Sequence, residues 1–230
     1  PSGRRTLMLL PHTSGVALIL AKLLRVRSVA SEQLNVFGFK PDFFTPARYT
    51  PWRHISEQHL DLWRRVGGAV RERHRVLHRP KIAKEYADAR LLNGPYIVVH
   101  PGSRWMFKTP QKKFWEVLGS GIRALGYQVV ITGSDDVFEK EFCDSISSAI
   151  EGVSFAGKTS IYELGYLISK SIAYVGVDSF SSHLAASLGH PGMVIFGPTS
   201  ENIWGPYGEQ NNLKVFASKN FGCRPCHADG

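Results

Sequence analysis

The sequence has few cysteines and no long apolar run, and these two absences exclude several classes of protein. Its 230 residues include three cysteines, too few for a disulfide-rich scaffold. The longest apolar candidate, Val16–Leu24, is interrupted by Lys22 and is shorter than the ~18 residues of a membrane-spanning helix. The apolar stretch after Arg4 and Arg5 stops at Pro11, so no secretory signal peptide is predicted. We expect a soluble protein of a reducing compartment.

Acidic residues are scarce in the first part of the chain. Residues 1–90 hold 17 lysine and arginine residues against 7 acidic ones, and residues 91–230 hold 11 against 12. The whole net charge of +9 therefore comes from the first part. A basic surface attracts nucleic acid, an anionic membrane or a phosphorylated substrate. A solvated basic face without a ligand explains the charge equally well.

From Tyr96 onward, apolar strands and helices alternate regularly. The predicted elements are, in order, strand Tyr96–His100, helix Gln111–Leu125, strand Gln128–Thr132, helix Val137–Ile150, strand Val153–Phe155, helix Ser160–Ser169, a strand that ends at Asp178, a helix that follows it, and strand Met193–Phe196. Four or five such units in series predict a doubly wound parallel sheet. Its ligands lie outside the carboxyl ends of the strands. In helix 111–125 we expect Phe114, Val117, Leu118, Ile122 and Leu125 to face inward.

The first 90 residues are less regular. Strands are predicted at Thr6–Leu10 and Val26–Ala30, and helices at Val16–Leu24, His54–Val66 and Ala83–Leu91. Residues 31–53 carry glycine and several prolines without periodicity, which predicts a long irregular loop. The shift in charge and the prolines at 80 and 95 favour a domain boundary near residues 80–93.

Residues 152–159 match the phosphate-binding pattern GxxxxGK[ST] of P-loop proteins. A P-loop requires a strand before its first glycine, but the residues before Gly152 read as the end of a helix. The residues between Gly152 and Gly157 read as the strand itself. We therefore interpret this segment as a strand end followed by a helix that Thr159 or Ser160 caps.

Three strand ends carry motifs that, taken together, resemble a known family. The motifs are His100–Arg104 followed by Lys108 and a Lys-Lys-Phe-Trp helix start, Gly157–Ser160, and Val177–Ser179 with His183, which lead to Phe196–Thr199 and Trp204–Gly208. In this order, over residues 96–208, they resemble glycosyltransferase family 9, the lipopolysaccharide heptosyltransferases. Each motif alone is weak, and their order and spacing make the set specific.

The resemblance implies a GT-B fold, in which two Rossmann-like domains face each other across a cleft. It implies transfer of heptose, with inversion, from ADP-heptose to the inner core of lipopolysaccharide. No metal or other cofactor is expected, since the ADP-sugar is the donor substrate. The family's general base is an aspartate of the acceptor domain that has no counterpart here, so we expect an incomplete chain. Residues 1–90 would be part of the acceptor-side domain, and residues 91–230 the nucleotide-sugar domain.

The resemblance also implies roles for individual residues. Lys108 and Asp178 are the expected catalytic residues, with Lys108 offsetting the charge of the departing ADP. The expected donor-binding residues are Gly102, Ser103, Arg104, Lys108, Ser134, Glu139, Lys158, Thr159, Asp178, Ser179, Phe180 and His183. Three of these residues also have a plainer interpretation: Lys108 as a solvated lysine, Asp178 as a helix cap, and His183 as a core histidine.

Within this set, the start of the helix after Asp178 would bind the pyrophosphate through its N–H groups. Asp178 itself is unfavourable beside phosphate, so its carboxylate should point at sugar hydroxyls or cap the helix. Phe180 stands where most relatives have glycine or alanine. Lys158 and Thr159 would lie near the adenine, and Ser134 and Glu139 near the ribose.

The expected partners are a nucleotide-sugar donor and a phosphorylated, lipid-linked saccharide acceptor. Contact with an anionic membrane is expected at the cytoplasmic face of the bacterial inner membrane, and no nucleic acid. Three alternatives remain: a non-catalytic nucleotide-sugar-binding protein, a P-loop NTPase, and a nucleic-acid binder that uses the basic residues 64–90. Cys223 and Cys226 form a lone Cys-x-x-Cys, which fits a structural loop, half a metal site or a disulfide.

Overall fold

The computed structural model describes residues 6–10, 14–30, 35–44, 53–71, 94–209, 211–217 and 222–226. The chain divides into two compact units, the first holding the described residues up to 71 and the second those from 94 onward. The boundary predicted near residues 80–93 and the helix predicted at Ala83–Leu91 lie outside the described residues. In the part of the chain that is described, no helix reaches the length and apolarity that crossing a membrane requires.

The first unit contains a small parallel sheet with strand order β1-β2-β3. Its elements are β1 (Leu7–Leu10), α1 (Gly15–Leu23), β2 (Arg27–Ala30), β3 (Phe43–Phe44) and α2 (Ile55–Arg65). The irregular loop predicted over residues 31–53 is wrong at β3, which pairs with β2. The Asp42 carboxylate accepts hydrogen bonds from the Ser28 N–H and hydroxyl groups, which holds this segment beside β2.

The second unit is a doubly wound α/β domain. Its elements are β4 (Tyr96–His100), a 3-10 helix (Met106–Lys108), α3 (Lys112–Ala124), β5 (Gln128–Ile131), α4 (Val137–Ala149), β6 (Val153–Ser154), α5 (Ile161–Lys170), β7 (Ala173–Val177), α6 (Phe180–Ser187), β8 (Gly192–Phe196), α7 (Glu201–Trp204) and β9 (Leu213–Ala217). The strands are all parallel in the order β6-β5-β4-β7-β8-β9. The winding direction reverses between β4 and β7, where such sheets form a crevice for ligands.

Two apolar clusters cover the sheet of the second unit. One includes Tyr174 and Leu167, and the other includes Trp115 and Ile146. Burial of aromatic and branched side chains on both faces is what stabilises a fully covered parallel sheet. The strand ends that carry the predicted motifs are therefore fixed by a packed core.

The inward face predicted for α3 is wrong for three of its five residues, and of the five only Leu118 and Ile122 pack against the core. Trp115 is 1% exposed, while Phe114, Val117 and Leu125 are 43%, 63% and 74% exposed. Trp115 can be buried because its indole N–H donates to the carbonyl oxygen of Pro110. Phe114 and Trp115 are adjacent and both apolar, so periodicity alone did not distinguish them.

Candidate functional site

A cavity of about 720 Å³ lies at the carboxyl edge of the second unit's sheet. This volume is within the range of small-molecule sites. It is lined by His100, Ser103, Arg104, Trp105, Lys108, Gly133, Ser134, Asp135, Asp136, Glu139, Gly157, Thr159, Ser160, Ile161, Leu164, Asp178, Ser179, Phe180 and Ser181. These residues follow β4, β5, β6 and β7, the strands on either side of the reversal in strand order.

Lys108 and Asp178 form an ion pair in the wall of the cavity. Lys108 ends the 3-10 helix after β4, and Asp178 directly follows the neighbouring strand β7. The Lys108 Nζ lies 2.7 Å from the Asp178 Oδ2, and the two side chains are 15% and 6% exposed. The Thr199 hydroxyl, which follows β8, donates to the same Oδ2 at 2.7 Å. Three adjacent strand ends thus meet at one carboxylate oxygen.

This geometry changes the expectation for Asp178. Its carboxylate was expected to point at sugar hydroxyls or to cap the helix, but the N-cap residue of α6 is Ser179. The Asp178 Oδ2 instead pairs with Lys108 and Thr199. The ion pair keeps the negative charge of Asp178 compensated next to a cavity that was expected to hold phosphate.

Trp105 and Ser103 shape the loop that carries Lys108. The Lys108 Nζ lies 4.9 Å from the centre of the Trp105 ring, a cation–π distance. The Ser103 hydroxyl donates to the Trp105 carbonyl oxygen at 2.8 Å and accepts from the Trp105 N–H at 3.2 Å. The loop therefore presents the lysine from a defined backbone rather than from a solvated turn.

The start of α6 offers N–H groups and hydroxyls to the cavity. The Ser179 hydroxyl lies 2.9 Å from that of Ser181, which lies 2.6 Å from the hydroxyl of the buried Tyr174. Burial raises the pKa of Tyr174, so this hydroxyl stays protonated. Phe180 lines the cavity and is 59% exposed. The start of α6 therefore places an exposed aromatic ring in the wall of the cavity, next to its hydroxyl groups.

Glu139 forms a second polar centre, on α4. Its carboxylate accepts from the Ser134 N–H at 3.0 Å and from the Ser134 hydroxyl at 2.5 Å. The His100 ring lies behind it, with Nε2 3.6 Å from the Glu139 carboxylate and Nδ1 2.9 Å from the Thr132 hydroxyl. Burial lowers the pKa of His100 to about 4, although Glu139 acts in the opposite direction. The imidazole is thus neutral near pH 7.

Gly102 is required by the close approach of the β4 loop to α4. A Cβ atom at Gly102 would lie 2.4 Å from the Glu139 Cγ and 2.5 Å from its Oε1. Distances below 3.0 Å cannot be accommodated without movement. Gly102 therefore acts by permitting the position of Glu139, and it is not among the residues that line the cavity.

The segment that matches the P-loop pattern does not bring its lysine to the cavity. Gly152 directly precedes β6, as interpreted from the sequence, and the Lys158 Nζ donates to the carbonyl oxygen of Ser154 at 2.9 Å. Ser160 caps α5 in a capping box with Glu163. Thr159 lines the cavity next to the apolar side chains of Ile161 and Leu164, whereas Lys158 does not.

The other predicted residues are placed as follows. Arg104, Ser134 and Glu139 line the cavity, and His183 lies on α6 outside the lining. Cys223 and Cys226 are exposed free thiols. Among the described residues, no group of three or more histidine, cysteine or acidic side chains is arranged to hold a metal ion. The alternatives for the Cys-x-x-Cys motif stay open.

Sequence reasoning assigned no role to four residues that organise the site. Trp105 and His100 line the cavity, whereas Thr199 binds Asp178 and Tyr174 binds Ser181 from outside the lining. His100 and Thr199 belong to the motifs at strand ends, which was the available signal. Trp105 lies in the loop after β4 and Tyr174 inside the apolar strand β7, so neither stood out in the sequence.

Comparison with known proteins relates most of the chain to one family. The sequence model of glycosyltransferase family 9 (heptosyltransferase) matches residues 52–229. The chain is 33% identical over 138 residues to lipopolysaccharide heptosyltransferase 3 of Escherichia coli strain K12, a match that covers 58% of this chain and 39% of that protein. The chain thus spans about two fifths of the length of the curated relatives it matches.

Solved structures show the fold. A family 9 glycosyl transferase from Veillonella parvula aligns with a TM-score of 0.76 and 18% identity, over 94% of this chain and 64% of that one. The E. coli ADP-heptose lps heptosyltransferase II aligns with a TM-score of 0.70 and 19% identity, over 91% and 67%. The predicted fold class, α/β of the GT-B type, is confirmed. Because the family match extends over most of the chain and includes every residue that lines the cavity, the chain belongs to glycosyltransferase family 9.

Proposed function

We propose that the cavity of the second unit binds the nucleotide-sugar donor of an inverting heptosyltransferase. The observation that carries this proposal is the shielded Lys108–Asp178 pair beside the start of α6, in a cavity at the reversal point of a parallel sheet. A nucleoside diphosphate needs a cation and N–H donors at such a point. The family relationship supports ADP-heptose as the donor, since a relative of the same fold is named for that substrate.

In the proposed reaction, an acceptor hydroxyl attacks the anomeric carbon of the donor while the bond to the diphosphate oxygen breaks. The electron pair of that bond leaves with ADP, and the proton of the attacking hydroxyl passes to a general base, which we expect to come from the acceptor domain. Lys108 and the N–H groups of Phe180 and Ser181 would stabilise the developing negative charge. Because Lys108 already provides a cation at this place, we propose that the reaction needs no metal or other cofactor.

The remaining lining suggests how the nucleoside would lie. The Glu139 carboxylate, fixed by Ser134, is placed to accept hydrogen bonds from ribose hydroxyls. Ile161 and Leu164 offer an apolar surface for the adenine, next to Thr159. Lys108 and Thr199 both bind the Asp178 Oδ2, so the other carboxylate oxygen, Oδ1, would accept hydrogen bonds from the sugar hydroxyls of the donor.

For the acceptor, we propose a phosphorylated, lipid-linked saccharide of the lipopolysaccharide inner core. The basic character of residues 1–90 supports this proposal, since it would attract both phosphate groups and the anionic cytoplasmic face of the inner membrane. No role for nucleic acid is proposed.

Incubation of the full-length protein with ADP-heptose and deacylated inner-core oligosaccharide tests the function. We expect release of ADP and formation of a product with inverted anomeric configuration, unaffected by a chelator. Donor binding without release of ADP would favour the alternative, a non-catalytic nucleotide-sugar-binding protein. Release of phosphate from ATP, with no effect of ADP-heptose, would favour a P-loop NTPase.

A further inference from the structure

We propose that Thr199 and Arg224 are positioning residues for the Lys108–Asp178 pair. They would hold the Asp178 carboxylate in place, and this carboxylate in turn holds Lys108 in the cavity. Neither Thr199 nor Arg224 lines the cavity itself. The inference rests on the proposed function, because it concerns the same donor site. It gives a role to the segment around Cys223 and Cys226 that does not depend on the thiols.

Arg224 holds the loop between β8 and α7 through three hydrogen bonds. Its Nε donates to the carbonyl oxygen of Gly197 at 2.6 Å. Its Nη2 donates to the carbonyl oxygen of Thr199 at 2.8 Å and to the Glu201 carboxylate at 2.7 Å. The Arg224 side chain is 11% exposed. The guanidinium group thus binds both ends of the segment from Gly197 to Glu201. Because the group is largely buried, these bonds hold the loop in one position relative to the start of α7.

A fourth contact comes from the backbone of the same segment. The Cys226 N–H donates to the carbonyl oxygen of Pro198 at 2.9 Å. Consecutive carbonyl groups from Gly197 to Thr199 are thus all bound by residues 224–226. These carbonyls follow the last residue of β8 and would otherwise need water or another donor.

Thr199 connects this loop to the site. It is 1% exposed, and its hydroxyl donates to the Asp178 Oδ2 that also pairs with Lys108. The carbonyl group of the same residue is the one that Arg224 holds. The loop also passes close to Lys108, since a Cβ atom at Gly197 would lie 3.4 Å from the Lys108 carbonyl oxygen. A shift of the loop would therefore move the donor to Asp178 and the packing behind Lys108 together.

The first test compares two substitutions of Thr199 that differ in the hydroxyl group. Thr199→Val keeps the shape of the side chain and removes the hydroxyl group, whereas Thr199→Ser keeps the hydroxyl group. We expect Thr199→Val to lower kcat/KM for ADP-heptose about tenfold or more, mainly through kcat, and Thr199→Ser to stay within about threefold of wild type. Equal losses in the two variants would overturn a role for the hydroxyl group.

A double-mutant cycle separates positioning from general stability. If Thr199 acts through Asp178, adding Thr199→Val to Asp178→Ala should cause little further loss, because the oxygen that accepts the Thr199 hydrogen bond is already gone. A merely structural role predicts independent losses that multiply. Arg224→Ala should resemble Thr199→Val, and Arg224→Lys should recover only part of the activity, since an ammonium group cannot reproduce the three bonds. Thermal unfolding identifies any variant that fails to fold. If Arg224→Ala does not fold, the activity of Thr199→Val alone tests the positioning role.

Wild-type behaviour keeps this inference distinct from the proposed function. If wild type neither binds nor consumes ADP-heptose, the proposed function fails. If wild type is active and both Thr199→Val and Arg224→Ala match it, the function stands and the positioning role is wrong. If the losses from Thr199→Val and Asp178→Ala multiply, the role through Asp178 is likewise wrong.

Discussion

At the scale of single residues, the site depends on charges that are held out of water. Lys108 and Asp178 are both largely shielded, and burying two charges carries a desolvation cost that their attraction offsets only with good geometry. The hydrogen bond from Thr199 supplies part of that geometry. An arrangement of this cost is better explained by a ligand that uses the lysine than by stability alone.

Replacing Lys108 tests this interpretation directly. We expect Lys108→Met to lower kcat for ADP-heptose by about 10² or more, since removal of one pre-positioned group that stabilises developing charge has effects of this size. Steady-state rates of ADP release measure it.

The matched control is Lys158→Met, because the Lys158 Nζ binds a backbone oxygen of β6 and does not line the cavity. We expect its rates to stay within about threefold of wild type. The opposite ranking of the two variants would support the P-loop interpretation.

His100 makes the stability of the second unit depend on pH. Burial lowers its pKa to about 4, whereas an unfolded histidine titrates near ~6.5. Between these values the unfolded chain binds a proton that the folded chain does not, so stability is complete above about 6.5 and falls as the pH drops toward 4.

We expect this pH dependence to be weaker in His100→Gln, which has no titratable ring. Urea unfolding at several pH values between about 4.5 and 7, with wild type alongside, measures the difference. Parallel curves for the two proteins would show that His100 does not titrate as described.

Residue roles were only partly predictable from the sequence. Lys108 and Asp178 were named because the motifs around them resemble those of glycosyltransferase family 9, and Glu139 because it follows the strand predicted to end at Thr132. That Lys108 and Asp178 pair with each other could not, since they are far apart in sequence and the pairing depends on the register of β4 and β7. Thr199 and Arg224 gave still less signal, because their contacts join segments on three different loops.

At the scale of elements, the site is built from strand ends whose loops approach one another closely. The loop after β4 touches α4 at Gly102, where only a hydrogen atom fits beside Glu139. The Glu139 carboxylate cannot move aside cheaply because Ser134 binds both of its oxygens. Gly102 therefore sets the distance between the loop after β4 and α4.

Gly102→Ala should weaken nucleotide binding by displacing Glu139. We expect about a tenfold rise in Kd for ADP, because the hydrogen bonds that hold the carboxylate are lost. Calorimetric titration with ADP measures this change.

Gly121→Ala is the matched control, since Gly121 lies in α3 with no atom within 4 Å of an added Cβ. It should leave ADP binding unchanged and raise stability by up to about 1 kcal/mol through helix propensity. ADP binding that is the same in both variants would contradict the role of Gly102.

Elements were predictable where the pattern was long. The alternation of strands and helices from Tyr96 to Phe196 was read within one or two residues of the observed bounds. β3 is only two residues long, and Lys214 interrupts the apolar residues of the edge strand β9, so neither segment was predicted as a strand. The buried face of α3 was predicted wrongly because Phe114 and Trp115 are adjacent and both aromatic, so periodicity did not show which of them is buried.

At the scale of the whole molecule, the surplus of positive charge and the candidate donor site are separated along the chain. The surplus of basic residues lies in residues 1–90, while every residue lining the cavity belongs to the second unit. We propose that the second unit binds the donor and that residues 1–90 attract an anionic acceptor or membrane.

Vesicle sedimentation tests the second half of this division. We expect the protein to bind vesicles that contain anionic lipid and to release them as salt is raised above about 0.15 M, where exposed charges are screened within ~8 Å. Neutral vesicles are the control. Equal binding to both kinds of vesicle would contradict an electrostatic origin.

The central claim is that the Lys108–Asp178 cavity is the donor site for an adenine nucleotide sugar. Calorimetric titration with ADP-heptose, beside UDP- and GDP-sugars and with the Lys108→Met variant, tests it most directly. The account predicts saturable binding of ADP-heptose that is about tenfold or more tighter than that of the other donors, and loss of that binding in the variant. Equal affinity for all three nucleotides, or full binding without Lys108, would contradict it.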